Sequence, residues 1–395
     1  MATAPVGSRA LSERGLSAAP PAAPRIALVH DWLTGMRGGE RCLEAVCELF
    51  PQAPLFTLLH VPGSVSPTIE RRRIVTSFVQ RLPGAATRYR HYLPLFPAAV
   101  RGLSLAGFDV VLSLSHCVAK AVRVPPGALH LCYCFTPMRY VWDLEADYAD
   151  GAGWLTRLAL PPMAAALRRW DRRTEGVHEF VAISRHIGER IRRVYGRDAA
   201  VIYPPVDLDR FRIAPAVDDY YLVVSALVPY KRVDLAVLAA NRTGRRLLVV
   251  GHGPEEARLR ALAGPTVTFL GWRSDAEVAQ LYARCRAVLF PAVEDFGIVP
   301  LEAAAAGRPT LALAQGGALE TMVGLDGGAP PTAVFFREQT ADAVAGAIAT
   351  FEAAASRFEP KAIRAHAAQF DRPRFAQRIR DWVDGRWAVR GGRAC

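Results

Sequence analysis

Two carboxylates, Glu294 and Glu302, stand eight residues apart in the stretch PAVEDFGIVPLEAAAAGRP (Pro291 to Pro309). Ionised carboxylates accept strongly from hydroxyls, so such a pair suits a polyhydroxylated ligand, with one acid on a sugar and the other on a ribose. The amides of Phe296, Gly297 and Ile298 lie between them, facing any anion bound where a helix starts. Spacing alone gives equal weight to a surface turn followed by a helix with an acidic first turn. Lys231, in VPYKRVDLAV, is a point charge on a flexible stem that suits a diphosphate, the alternative being a solvated lysine at a helix start. Arg232 beside it offers a second cation. Gly38 and Gly39 let backbone approach a ligand closely, or serve only a tight turn. His116 ends the apolar run FDVVLSLSH, and taken alone it reads first as a satisfied structural histidine.

These residues need elements to hold them. RAVLF (Arg286 to Phe290) is a short apolar run of the kind a buried parallel strand gives, and helix formers follow from Pro300 to a stop at Gly307. Glu294 therefore falls at the carboxyl end of a strand, the edge where open α/β sheets bind ligands. RIALVH (Arg25 to His30) is the first strand, leading through a glycine turn into the helix ERCLEAVCELF. No GxGxxG fingerprint accompanies it, which weakens nicotinamide binding. Further strands are expected at Leu55 to His60, Ile74 to Val79, Phe108 to His116 and from Leu129, with helices over Tyr89 to Leu103 and Leu160 to His178 and an N-cap at Ser184. From Tyr220 onward YYLVVSAL, RRLLVVG, VTFL, RAVLF, TLALA and AVFF alternate with helical segments. The rhythm predicts an α/β protein of two Rossmann-like, doubly wound parallel-sheet domains facing across a cleft. The expected boundaries are a disordered leader over 1–24, a first domain over 25–205, a second over 206–372, and a final helix, 373–387, that crosses back to the first.

Composition narrows the partners. The net charge of +12 rests almost wholly on arginine, since lysine occurs only at positions 120, 231 and 361. Such a balance favours phosphates or an acidic membrane face. No aromatic-interleaved basic repeat points to nucleic acid. Seven cysteines, an odd number mostly within apolar runs, fit reduced thiols in the cytoplasm. No apolar run reaches the roughly 18 residues of a membrane span. The basic face of LPPMAAALRRWDRRTEGVH (Arg168, Arg169, Arg172, Arg173) could rest on an acidic bilayer, the inner face of the plasma membrane, although a solvated face outweighs that.

The run EDFGIVPLEAAAAGRP resembles the Glu-x7-Glu signature of the family 4 retaining glycosyltransferases, which have the GT-B fold. The resemblance implies that Glu294 and the amides of Phe296, Gly297 and Ile298 contact a donor sugar, that Glu302 binds the nucleotide ribose, and that Lys231 meets the diphosphate. RGGER is similar to the family's glycine loop, which would put Gly38 and Gly39 beside the reaction centre, and SHCVAKAV resembles segments that set a histidine, here His116, against the sugar. TPMRYVWD resembles a bacterial branch rich in mannosyltransferases. Two departures stand out: Phe135 replaces a frequent histidine, and Ser225-Ala226-Leu227 lacks the arginine of the usual SRL segment, with Arg232 the cation on hand to offset the loss.

The implied activity is transfer of a hexosyl group, foremost mannosyl, from a nucleotide-sugar (GDP-mannose ahead of UDP-hexoses) to a glycan or lipid-linked acceptor in polysaccharide biosynthesis, with no metal and no other cofactor. A sugar-nucleotide epimerase or phosphorylase on the same fold, and a non-catalytic scaffold, are the alternatives.

Overall fold

A computed structural model describes residues 23–142 and 154–391. Nearly all of the expected leader, together with Asp143 and Cys395, lies outside the described residues. The apolar runs form two parallel sheets. The first contains β1 (Ile26–His30), β2 (Leu55–Thr57), β3 (Ile74–Thr76), β4 (Val110–Ser115), β5 (Leu129–Cys134), β6 (Glu179–Ala182) and β7 (Ala199–Val201), in the order β3-β2-β1-β4-β5-β6-β7. The second contains β8 (Tyr221–Val224), β9 (Leu247–Val250), β10 (Val267–Gly271), β11 (Val288–Phe290), β12 (Thr310–Leu313) and β13 (Ala333–Phe336), in the order β10-β9-β8-β11-β12-β13. Strands covered on both faces must be apolar throughout, and β4, β5 and β9 are buried along their whole length.

Strand order decides where a ligand can sit. In the first sheet the chain runs outward from β1 to β2 and β3, then returns to add β4 on the other side, where His30 pairs with Leu114. In the second sheet β8 plays the same part, between β9 and β11. The loops leaving β1 and β4, and those leaving β8 and β11, diverge at these reversal points and open a crevice.

Several elements differ in extent from expectation. Strands β2 and β3 stop at Thr57 and Thr76. Tyr89 to Leu103 divides into a 3₁₀ segment, Tyr89–Leu95, and an α-helix, Phe96–Arg101, with Pro94 inside the former; a residue without an amide hydrogen suits such a short, broken path. The helix expected over 160–178 runs from Trp154 to Asp171. Its end is fixed by the buried Asp171 carboxylate, which accepts from Trp142 Nε1 (2.8 Å) and Tyr195 Oη (3.0 Å) and pairs with Lys120 Nζ (2.8 Å). The last helix, Arg372–Gly391, packs on the first sheet's layer: Arg372 pairs with Glu44 and Glu48 of the helix Gly38–Leu49, and Trp382 Nε1 donates to Glu179 (2.9 Å). The two passages of chain between the sheets lie side by side, Val206 N donating to Phe370 O (2.8 Å).

Candidate active site

A cleft of about 590 Å³ separates the two reversal points, and both contribute to its walls. On the first wall the helix that begins at Gly38 follows β1, so Gly38 and Gly39 line the cavity. Space at the glycines is open: a Cβ on Gly38 would meet nothing within 4 Å, and one on Gly39 would meet His30 and Phe135 only at 3.7 Å. Glu40, one residue on, is buried; its carboxylate accepts from Arg37 N (3.0 Å) and lies 3.7 Å from His30 Nε2. Burial opposes its ionisation, but the adjacent His30, with the charge of His116, outweighs burial and holds its carboxyl below the ordinary value.

His116 leaves β4 directly into a turn that is fastened by one buried carboxylate. Asp31, the residue after β1, accepts from the amides of His116 (2.7 Å), Cys117 (3.0 Å), Val118 (2.6 Å) and Ala119 (2.8 Å), and lies 3.1 Å from His116 Nδ1. With Nδ1 turned to Asp31, and with the Trp32 ring set edge-on 4.4 Å away, the imidazole is fixed in orientation at the cavity wall. Burial pushes the His116 pKa down, against the raising effect of Asp31. Phe135 completes an aromatic cluster, 6.3 Å from the His116 ring and 6.2 Å from that of His30. The signal for Asp31 was present in the sequence as an acid at a strand end, but nothing there says that it faces four amides nearly ninety positions away.

On the second wall Glu294 follows β11 and Glu302 lies in the helix Ile298–Ala305, both lining the cavity. Glu294 is paired with Lys231, which approaches from the loop after β8. Glu302 accepts from Tyr282 Oη (3.2 Å) and lies 3.9 Å from Arg210; burial raises its pKa, with Arg210 and Tyr282 acting in opposition. Gly297 takes φ +88° at the helix start, a conformation that costs glycine little. The Phe296 side chain is buried and stacked on Tyr203 at 5.9 Å, so only its backbone is available to a ligand. Arg232 does not line the cavity: its guanidinium is held by Asp234 (3.2 Å) and Gln339 (3.3 Å). Ala226 and Phe135, the two departures noted above, both do.

The segment GGALE, Gly316 to Glu320, fastens the loop that bears Glu294. A Cβ on Gly316 would come within 2.4 Å of Glu294 O, and Gly317 N donates to that oxygen (2.8 Å). Glu320 accepts from the amides of Arg185 and His186 (2.7 Å each) at the start of the helix Arg185–Tyr195, which belongs to the first sheet. Ser184 Oγ, the cap of that helix, donates to Asp295 O (2.6 Å). The loop bearing Glu294 is thus fastened to both halves of the molecule.

This arrangement, two doubly wound sheets with a carboxylate-rich cleft at their reversal points, is the GT-B fold. The model for Glycosyltransferase Family 4 matches residues 36–210, and that for Glycosyl transferases group 1 matches residues 208–365. The two overlap at residues 208–210 and together take in most of the chain, which belongs to the family 4 glycosyltransferases. A GDP-mannose-dependent α-(1-6)-phosphatidylinositol monomannoside mannosyltransferase of Mycobacterium tuberculosis is 33% identical over 211 residues, 45% of this chain and 53% of that protein. An O-antigen chain mannosyltransferase C of Escherichia coli is 36% identical over 101 residues, 24% of this chain and 27% of that one. These matches span about half the length of the curated relatives or less. In fold the chain is similar to a sucrose-phosphate synthase from Thermosynechococcus elongatus (TM-score 0.66, 18% identity, 92% of this chain and 100% of that one). It is similar also to Anabaena HepE, solved in complex with UDP and glucose (TM-score 0.62, 18% identity, 92% and 100%).

Proposed function

We propose that the chain is a retaining hexosyltransferase that moves a mannosyl group from GDP-mannose to a glycan or lipid-linked acceptor in polysaccharide assembly. One observation carries the reading: Glu294, Glu302 and the helix start between them face His116, Gly38 and Gly39 across a single cleft. In this scheme the nucleotide lies on the second sheet, its ribose hydroxyls on Glu302. The hexose lies against Glu294 and the amides of Phe296, Gly297 and Ile298, and His116 meets it from the opposite wall. Lys231 and the helix-start amides stabilise the diphosphate as it leaves, the charge-stabilising work a metal performs elsewhere. Lys231 must part from Glu294 to do so, which donor binding favours by offering both partners new charges and hydroxyls. GDP-mannose is preferred to UDP-hexoses on the strength of the mannosyltransferase relatives.

The test is a thermal-shift panel with GDP, UDP, ADP and their hexose conjugates. A ligand at about 100 times its dissociation constant stabilises by about 2.7 kcal/mol. Stabilisation by GDP-mannose alone supports the proposal, and stabilisation by UDP conjugates alone replaces mannosyl with another hexosyl group. Ala226 and Phe135 on the cavity wall favour a second reading, a non-catalytic partner of another transferase. Absence of any shift would move that reading to the front.

A further inference from the structure

From Arg71 to Phe108 the chain holds seven arginines and no aspartate or glutamate. Its short helices, Phe78–Arg81, Ala85–Arg88, Tyr89–Leu95 and Phe96–Arg101, pack together on one side of the first sheet, where Tyr89 and Phe96 lie 5.1 and 6.0 Å from the Trp32 ring. Arg71, Arg73, Arg81, Arg88 and Arg101 are exposed, and among the described residues none has a carboxylate within ion-pair distance. Most exposed arginines of the second sheet's layer are treated differently: Arg242, Arg245, Arg258, Arg260 and Arg284 are each paired with an acid, while Arg246 and Arg337, far apart in the chain, are not paired among the described residues. Apolar exposure falls in the same place. Among the described residues before Val217, the two large apolar side chains left most open are Phe78 (45%) and Leu95 (41%), both in this segment.

Unpaired cations interleaved with exposed apolar side chains match a surface that is anionic outside and apolar a few ångströms below. We infer that this helical patch docks the protein on an anionic lipid bilayer. Nucleic acid would satisfy the arginines but leaves Phe78 and Leu95 unexplained. The position is apt as well: Trp32 and Arg90 line the cleft, so the patch adjoins the first wall, and a lipid-borne acceptor held there would have its head group beside the cavity. The helix Trp154–Asp171 and the turn after it, the basic element that stands out in the sequence, are less suited. Arg168 and Arg172 lie over the Trp142 ring, at 5.7 and 4.9 Å, and Arg168 Nε donates to Val141 O.

The experiment is co-sedimentation of the full chain with vesicles of phosphatidylcholine alone or mixed equally with phosphatidylglycerol. It needs no donor and no turnover, so its outcome is independent of the transferase reading. Binding is expected to the mixed vesicles only, and to fall as salt rises. The triple variant Arg81→Ser/Arg88→Ser/Arg101→Ser should bind about tenfold more weakly or worse, and Phe78→Ser/Leu95→Ser should weaken binding while keeping its salt dependence. Arg169→Ser/Arg173→Ser should bind as the parent does. Circular dichroism and the denaturation midpoint establish that each variant folds. Equal binding by the triple variant and the parent would overturn the inference. So would a loss confined to the Arg169/Arg173 variant, or binding of tRNA with the same arginine dependence and no binding to either vesicle.

Discussion

The two walls of the cleft are built on the same topology and held in opposite ways. At the β1/β4 reversal the loop is fastened by a buried carboxylate, Asp31, which gathers four amides. At the β8/β11 reversal the functional carboxylates are partly open to the cavity and satisfied by cations, Glu294 by Lys231 and Glu302 by Arg210. A buried carboxylate cannot be released without stranding its donors, whereas an ion pair partly open to the cavity exchanges partners at smaller cost. The first wall is therefore a fixed template and the second a set of charges that a ligand can rearrange. Substitutions of the buried fastener on the first should register chiefly as stability, and those of the charged groups on the second chiefly as turnover.

The sharpest challenge to that contrast is Glu294→Ala. It should lower kcat by roughly 10²–10³-fold in a nucleotide-release assay while the denaturation midpoint barely moves; a large loss of stability would put Glu294 among the structural residues. Asp31→Ala is the converse, leaving four amides without their acceptor. Chemical denaturation should show a loss of about 3 kcal/mol or more, and a stable variant would mean that the first wall is not the fixed one. The sheet behind the first wall carries a pH signature at its opposite edge. His130 on β5 is buried, with Nδ1 2.9 Å from Gly176 O and Nε2 2.9 Å from Ser113 Oγ. Burial, the main cause, lowers its pKa to about 4. The folded value lies below the unfolded one of about 6.5, so this stability is present above pH 6.5 and lost as pH falls toward 4, in total about 3 kcal/mol. His130→Gln should flatten that limb of the stability profile.

Glu320→Ala tests the join between the walls. Removing the acceptor for two helix-start amides should cost about 1–2 kcal/mol and raise KM for the donor, read from initial rates, because the Glu294 loop is fastened through the same contact region. Lys231→Ala should have the smallest effect on stability, within about 1 kcal/mol for a partly exposed pair. A larger loss would erase the distinction between the walls.

Much of this was legible in the chain. Strands buried on both faces must be continuously apolar, so VVLSLS, LLVV and TLAL announced themselves, and the spacing of Glu294 and Glu302 across a strand-to-helix turn placed both on one edge. Helix limits were less legible, because partners remote in sequence set them: the helix expected to reach His178 ends where Trp142, Lys120 and Tyr195 converge on Asp171. Arg232 stands next to Lys231 in sequence, yet its guanidinium turns to Asp234 and Gln339.

The sequence by itself determined the periodicities, the sheet-forming runs and the motif that marks the family, because these depend on neighbours a few residues away. Tertiary structure alone decided which carboxylate became a buried fastener and which a cavity wall, where Glu320 would act, and which arginines would be left without acids. Those outcomes depend on groups tens to more than a hundred residues apart along the chain, brought together by strand order that no local pattern encodes.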